Sequence, residues 1–304
     1  MNGLQPEKFR GPRLVDFGID AAGHGRRLET LGDVLVDRPL PQTVERRRHP
    51  ARWEAAAAVY RPAGTAAANE PTGAWEFRGP VPAPWHAVVS TAAGALVLEV
   101  HPAPSGQVGV FLEQAAQWRW LEAATRPGMA ILSLFAHSGA ASLAAAAAGA
   151  EVVHVDASRQ AIALARRNAA ASGLEQRPIS WICEDAATFV SRCLRRGRRF
   201  AGVVLDPPSW GHGPKGQAFS IDRHLDGMLA DIARLLDPDT PGPLLLTCHS
   251  PGWHPARLRE TLASACAAAH LPARGRIESG SLDLEDDSGR TLSLGGFARQ
   301  SPSP

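Results

Sequence analysis

A doubly wound α/β domain with a mostly parallel sheet, preceded by a small β-rich module, is the fold this sequence predicts, on three observations. The apolar strand Ile131-Leu132-Ser133-Leu134-Phe135 runs through a small-residue turn, Ala136-His137-Ser138-Gly139, into a helix, and a second strand, Val152-Val153-His154-Val155, ends on the carboxylate of Asp156. Strand and helix patterns then keep alternating, as they do in a parallel sheet joined by right-handed crossovers. Two further apolar strands close on Cys183-Glu184-Asp185-Ala186 and on Asp206-Pro207-Pro208-Ser209. Polar and turn residues thus gather at one edge of the sheet, where open α/β folds bind ligands.

Residues 1–12 are polar, carry Gly and Pro, and read as a disordered tail. Residues 13–108 read as the β-rich module. Leu14–Ile19 and Gly32–Val36 look like short strands around a Gly-rich turn, and Ala87–Val89 and Leu96–Val100 look like strands joined at Ala93-Gly94. Between them, 39–84 hold many prolines, the basic run Arg46-Arg47-Arg48, and one helix near Trp53–Tyr60. The main domain spans 109–299. It opens with a helix from Phe111-Leu112-Glu113-Gln114 through Trp118 and Leu121, and its strands fall near 130–135, 151–155, 179–183, 201–205 and 243–248. Segments 273–285 and 290–299, joined by Asp287-Ser288-Gly289, read as an antiparallel hairpin at the sheet edge.

The composition is that of a soluble globular protein, 44% hydrophobic and 20% charged, and the net charge of +2 is too small to mark a nucleic-acid binder. Basic residues are almost all arginine, with Lys8 and Lys215 the only lysines. Cys183, Cys193, Cys248 and Cys266 show neither C-x-x-C pairing nor metal-ligand spacing, which predicts free thiols and no metal. The alanine run Ala144–Ala148 is a small-residue helix rather than a membrane span, and a signal-like apolar region is missing at the start. A cytoplasmic enzyme is the simplest expectation.

A carboxylate about 20 residues beyond a strand–turn–helix unit is how a doubly wound sheet holds the ribose of a nucleoside cofactor. The turn keeps one glycine, Gly139, and lacks the G-x-G-x-x-G pattern. A pyrophosphate needs close backbone approach over several glycines, so this turn favours S-adenosyl-L-methionine over a dinucleotide.

The Phe135–Gly139 turn, the acids behind it, and Asp206-Pro207-Pro208 resemble those of the class I S-adenosylmethionine-dependent methyltransferases, which have a Rossmann-like sheet. More narrowly, the chain is similar to the bacterial ribosomal-RNA large-subunit methyltransferases of the I and K/L type. These carry a Phe-Ala-Tyr-Thr-Gly-like first turn, and close relatives have Asp-Pro-Pro-Ser-Phe-Gly-x-Gly-Pro-Lys-Gly, which reads here as Asp206 to Gly216 with Trp210 for the phenylalanine. The similarity covers roughly residues 25 to 298. It implies that Phe135, His137, Ser138 and Gly139 pass under the methionine part of the cofactor, that Asp156 with Ala157 and Ser158 meets the ribose, and that Asp185 with the Ala186 N–H meets the adenine edge. Gln114, in Gly109-x-Phe111-x-x-Gln114, is implied to line the same pocket. His137-Ser138 stands where the family has Tyr-Thr, and Ser138 can still cap the helix.

Each assignment has a plainer counterpart. Asp156 and Asp185 can cap the helices that follow them, and Gln114 can be a solvent-facing linker residue. Asp206, Pro207, Pro208 and Ser209 form a stiff turn suited to orienting a flat amine or ring. Trp210 is a candidate stacking platform for a flipped base, or else core packing. Cys248, in Thr247-Cys248-His249-Ser250, is a candidate thiolate for methylation at carbon 5 of cytosine, or else a buried thiol; the type I cysteine aligns with His249. Lys215, in the Gly-Pro-Lys-Gly loop, is the basic residue best placed to touch substrate. The runs Arg46–Arg48 and Arg195-Arg196-Gly197-Arg198-Arg199 either clamp RNA phosphates or are solvated.

The expected function is methylation of a base of large-subunit ribosomal RNA. The RNA-binding domain fused to type I relatives is not evident at this N-terminus. A small-molecule or protein acceptor, and a non-catalytic RNA-binding protein on the same fold, stay open, as does the oligomeric state.

Overall fold

The computed structural model describes residues 11–63, 73–212, 218–269 and 275–301. Lys215 lies outside the described residues, as do residues 1–10 of the expected tail. The chain divides into two compact units: Met1–Ser90 with Val97–Leu112 and Leu284–Leu292, and Thr91–Leu96 with Glu113–Asp283 and Ser293–Pro304.

The first unit holds a five-stranded sheet in the order β1-β2-β3-β4-β5. Strands β1 (Arg13–Ile19), β2 (Gly25–Leu31) and β3 (Val34–Pro39) form an antiparallel meander. A short helix α1 (Pro50–Glu54) leads to β4 (Ala58–Pro62), which runs parallel to β3, and β5 (Gly73–Phe77) pairs antiparallel with β4. Val15, Leu28, Trp53, Ala56 and Val59 pack together in its core. Two expectations need correction. Strand β2 was not foreseen, because Arg26, Arg27 and Glu29 break the apolar alternation; the charges are buried as ion pairs, Arg26 with Asp37 and Arg38 with Glu29. The helix expected over Trp53–Tyr60 ends at Glu54, since Pro50 starts it early and Val59 and Tyr60 are drawn into the sheet between β3 and β5.

Asp16 organises this unit. Fully buried at a bulge in β1, its carboxylate accepts from Trp53 Nε1 (2.8 Å), His49 N (2.9 Å), Arg48 N (3.2 Å) and Arg290 Nη2 (2.6 Å). Burial alone would raise the carboxyl, yet the bonds from Trp53, His49 and Arg48 and the Arg290 guanidinium hold it below the usual carboxylate range. The basic run is partly structural too, for Arg47 lies 3.7 Å over the Trp53 ring.

Strands β6 (His86–Thr91) and β7 (Gly94–Glu99) form a two-stranded ladder. A 3₁₀ turn (Leu112–Gln114) and α2 (Ala115–Ala124) then lead into the alternating part. There follow β8 (Ala130–Leu134), α3 (Ala140–Ala147), β9 (Glu151–Asp156), α4 (Arg159–Ala171), β10 (Ile179–Cys183), α5 (Ala186–Arg195) and β11 (Gly202–Leu205). A small ribbon, β12 (Trp210–His212) and β13 (Ala218–Ser220), precedes α6 (Ile221–Leu235), β14 (Leu244–Cys248), α7 (Pro255–Ala268), β15 (Ile277–Glu285) and β16 (Thr291–Gln300).

The main sheet has the order β10-β9-β8-β11-β14-β16-β15. Strands β8 to β11 and β14 are parallel, and β16 runs antiparallel to β14. The central strands are apolar on both sides because helices cover both faces. Leu132, Leu134, Val153 and Val155 pack with Phe189, Val190, Leu225 and Leu229 on one side. Ile131, Val152, Val204 and Leu245 pack with Leu121, Ala145 and Ala146 on the other. The strand order reverses between β8 and β11, so the crevice at their carboxyl ends is the place where such a sheet binds ligands.

Replacing Asp16 by Ala strips five donors of their acceptor, the Phe17 amide (2.9 Å) among them, and leaves the Arg290 guanidinium short of a buried partner. The urea midpoint of D16A should fall by the equivalent of about 3–5 kcal/mol, the range for breaking a buried charge pair. A change below about 1 kcal/mol would show that the hub is dispensable.

Candidate functional site

The first turn is held in a shape that ordinary residues avoid. Phe135 and His137 have φ of 52° and 44°, and Gly139 has φ of 87°. Left-handed backbone at two non-glycine residues costs of order 1–3 kcal/mol each and is found where the surroundings enforce it. Here the Ala136 N–H donates to Val155 O (3.2 Å), the Gly139 N–H to Ala136 O (2.9 Å), and the His137 N–H to Asp156 Oδ2 (2.8 Å). Beneath the turn, Asn168 Nδ2 donates to Ser138 O at 2.8 Å. A Cβ on Gly139 would sit 2.9 Å from Ala165 Cβ of α4, so glycine is required by φ and by space together. Ser138 is buried and does not cap α3; the N-cap is Gly139, with no side-chain bond, which corrects the capping expected of Ser138.

Asp156 closes β9 with both oxygens engaged, Oδ2 by His137 N and Oδ1 by Ser158 N at 2.8 Å. The cap of α4 is Ser158, whose Oγ accepts from Ala161 N at 3.2 Å, so the carboxylate is not used as a helix cap. A carboxylate has about four lone-pair positions, and two remain for another donor. Ala157 lies between them, half-buried. At the next strand end Asp185 does cap a helix: Oδ1 accepts from Thr188 N (2.8 Å) and Thr188 Oγ1 (2.9 Å). Both bonds fall on Oδ1, while Ala186 is buried in the core behind it.

Beyond β11 the chain turns through Pro207 and Pro208. Asp206 Oδ1 accepts from Thr247 Oγ1 (2.8 Å) and Oδ2 from Gln114 Nε2 (3.0 Å). Gln114 Nε2 also lies 3.1 Å from Thr247 Oγ1 and 3.3 Å from His249 Nε2. Gln114 is therefore a buried side chain at the crevice, not a solvent-facing linker residue. Ser209 Oγ meets Ser250 Oγ at 2.7 Å, and its carbonyl accepts from Ile221 N at 3.1 Å. Trp210 is 54% exposed in β12, which removes the core-packing reading of it.

Cys248 lies on the other side of β14 from this cluster. It is fully buried among Leu246, Leu258 and Ala298, its Sγ accepts from Ser250 N at 3.3 Å, and burial pushes its thiol up. An inward-facing thiol with a raised pKa is inert, which is the opposite of what a nucleophile needs. None of the four cysteines forms a disulfide.

The sequence reading missed Thr247 and His249 as members of the cluster. Strand alternation was the available signal, because residues 247 and 249 share a side opposite 248. Among the described residues no helix is long and apolar enough to cross a membrane, and no group of His, Cys, Asp and Glu could hold a metal ion.

A parallel sheet with a switch point, a tight first turn and acids at successive strand ends defines a nucleoside-binding α/β protein of the Rossmann-like kind. The profile of the S-adenosylmethionine-dependent methyltransferases matches residues 65–289, and the chain belongs to that family, whose cofactor is S-adenosylmethionine. A solved S-adenosylmethionine-dependent methyltransferase from Agrobacterium tumefaciens is 34% identical, with a TM-score of 0.82 over 96% of this chain and 90% of that one. Ribosomal RNA large subunit methyltransferase I of Aeromonas hydrophila is 29% identical over 165 residues, 54% of this chain and 40% of its own length. Ribosomal RNA large subunit methyltransferase K/L of Methylococcus capsulatus is 31% identical over 138 residues, 45% of this chain and 18% of its own length. The chain thus spans less than half the length of these two relatives.

Two stability outcomes follow from the turn. Gly139→Ala combines a left-handed backbone with the contact on Ala165 and should lower the urea midpoint by the equivalent of about 1–3 kcal/mol. Directly below, His154 is fully buried against Ser142 and Trp181, and burial, with a smaller push from His137, lowers its imidazole to about 3. Unfolded, this group titrates near 6.5. The unfolded chain therefore takes up a proton that the folded chain refuses, and stability falls as pH drops through that window, by at most about 1.4 kcal/mol per pH unit. Between about pH 6.5 and 4, His154→Leu should show a flatter dependence of urea midpoint on pH than wild type, and an unchanged slope would place the titration elsewhere.

Proposed function

We propose that this protein methylates a base of large-subunit ribosomal RNA, using S-adenosylmethionine held across the carboxyl ends of β8 to β11. The observation that carries the reading is the Asp206-Pro207-Pro208 turn, locked to Gln114 and Thr247 beside the strained first turn, with the exposed Trp210 next to it. The acceptor class is that named for the sequence relatives, the ribosomal RNA large subunit methyltransferases. The division into a β-rich module over 13–108 and a catalytic domain over 109–299 belongs to the same reading.

The residues present suit the cofactor. Asp156 keeps lone pairs for ribose hydroxyls beside Ala157 and Ser158, and Asp185 Oδ2 can accept an exocyclic amine with the Ala186 N–H next to it. Phe135, His137, Ser138 and Gly139 would pass under the amino-acid portion, where the start of α3 favours a carboxylate. Bound there, S-adenosylmethionine supplies an electrophilic methyl group on a sulfonium. The chain's own work is alignment and exclusion of water. Gln114 and Thr247 hold the Asp206 carboxylate still, the two prolines stiffen the turn that faces the acceptor, and Trp210 offers a face on which a flipped base can stack. Cys248 has no part in this scheme except as core packing, so a cysteine adduct at carbon 6 of a pyrimidine is not used.

Calorimetric titration of S-adenosylmethionine should give micromolar binding to wild type and loss of binding to Asp156→Ala. Folded wild type that binds none would overturn the reading. Ribosomal RNA from a strain lacking the gene should accept methyl groups, with binding that weakens steeply as salt rises; a flat salt response would point to a small-molecule or protein acceptor. Trp210→Ala should lower transfer to that RNA by the equivalent of about 1–3 kcal/mol, the usual worth of one stacked base, with cofactor affinity unchanged.

A further inference from the structure

We infer that the end of the main sheet opposite the cofactor crevice holds the phosphodiester backbone of an RNA strand, in a hollow between Arg177 and Arg198. The inference rests on the methyltransferase reading above and adds to it the surface on which an RNA substrate is anchored.

The hollow, of about 270 Å³, opens at the amino ends of β8, β9 and β10. Val152, Val153 and Ile179 give it apolar lining, and Arg177, Arg198, Glu151 and Ser180 bring the polar groups. Arg177 stands just ahead of β10, and Arg198 lies in the turn between α5 and β11. Strand order explains why they meet: α5 carries the chain from β10 at the sheet edge to β11, back across β9 and β8.

Both arginines are exposed, and neither side chain has an ion pair or a hydrogen bond among the described residues. The same is true of Arg195, Arg196 and Arg199, the neighbours of Arg198 in the chain. Arg192, one turn earlier in α5, is different, for it is paired with Glu184 at 2.6 Å. Arg198 is steadied by the Phe200 ring, which lies 4.9 Å from its guanidinium carbon. A guanidinium stacked on a ring keeps its in-plane N–H donors for another partner.

Unneutralised guanidiniums beside a hydroxyl are the donors that phosphate oxygens need, and each guanidinium can take two oxygens at once. A run of such cations exceeds what one phosphate can use and suits a chain of them. Glu151 narrows the choice further. Its carboxylate repels a free phosphate in so small a hollow, whereas in an RNA strand the ribose 2′-hydroxyl beside each phosphate can donate to it.

Glu151 and Asp156 begin and end β9. At about 3.3 Å per residue the hollow and the crevice are thus about 17 Å apart along the strands. An acceptor that occupies both must pass around the edge of the sheet. A long or folded RNA does so; a nucleoside or a small molecule does not.

The first test is independent of which base is methylated. A long oligouridylate is titrated at several salt concentrations into wild type and into Arg177→Gln/Arg198→Gln. The slope of log affinity against log salt should become shallower by about 0.7 for each arginine removed. Arg177→Lys/Arg198→Lys keeps the charge and should keep the slope. Arg119→Gln/Arg259→Gln, the same loss of charge on exposed positions of α2 and α7, should keep it too. Calorimetric affinity for S-adenosylmethionine should equal that of wild type in all three, which shows that each is folded. An unchanged slope in the first variant, an equal loss in the α2 and α7 variant, or wild type that does not bind oligouridylate overturns the inference. Oligodeoxyuridylate should bind wild type more weakly than oligouridylate, and equally to it in Glu151→Ala; equal binding of the two by wild type overturns the ribose contact.

The second test reads turnover on ribosomal RNA. Arg177→Gln/Arg198→Gln should raise KM and leave kcat unchanged, because the hollow is remote from the reacting atoms; a lower kcat at unchanged KM overturns the inference. Wild type that binds oligouridylate through these arginines but methylates no ribosomal RNA counts against the ribosomal acceptor alone. Wild type that methylates ribosomal RNA with a KM indifferent to both arginines overturns the anchoring surface alone.

Discussion

Where parallel strands end, their last peptide groups and the loops that follow lose the ladder that ordered them, and something else must fix those loops if they are to hold a ligand. In this chain two aspartates do so. Asp156 reaches from the end of β9 to the His137 amide, fixing the loop that follows β8. Asp206 reaches from the end of β11 to Thr247 on β14 and to Gln114 ahead of α2. The switch point of the sheet lies between these two ties, so the crevice is bounded on each side by a carboxylate that is itself held. Asp156 is thus one of the contacts that enforce the left-handed backbone at His137.

The same carboxylates show why a strand-end acid cannot be given a role from its position alone. Asp185 spends Oδ1 on the first turn of α5 and is a helix cap. Asp156, in register with Cys183 at the end of the neighbouring strand, leaves capping to Ser158 and spends its oxygens on two loop amides. Two residues of spacing make the difference: Ser158 stands where it can meet Ala161 N, whereas no hydroxyl intervenes between Asp185 and α5. Capping and ligand binding are not exclusive, since a carboxylate offers more lone pairs than either needs.

The first unit solves a different problem. Its sheet buries arginine and acid together, and Arg38 with Glu29 is almost completely enclosed. Such a pair adds little net stability compared with apolar packing, but either member left alone is costly. Register between β2 and β3 is thereby constrained, because a one-residue slip would send every charge to the wrong face.

The alternation of strand and helix, the single glycine of the first turn, the acids at strand ends and the Asp-Pro-Pro turn were all legible in the sequence, because they are local in the chain and their periods differ. That is why the main sheet was foreseen nearly strand for strand, whereas β2, with its charged residues, and the early end of α1 were not. Which acid caps a helix, that Trp210 is exposed, that Cys248 faces inward, and that Gln114, Asp206, Thr247 and His249 converge were decided only by tertiary structure. Those four residues come from separate segments, and only the β11–β14 pairing and the packing of the chain ahead of α2 set the distances among them. The sequence by itself determined the fold and which residues close its strands; the side-chain chemistry at those strand ends depends on contacts that no local pattern encodes.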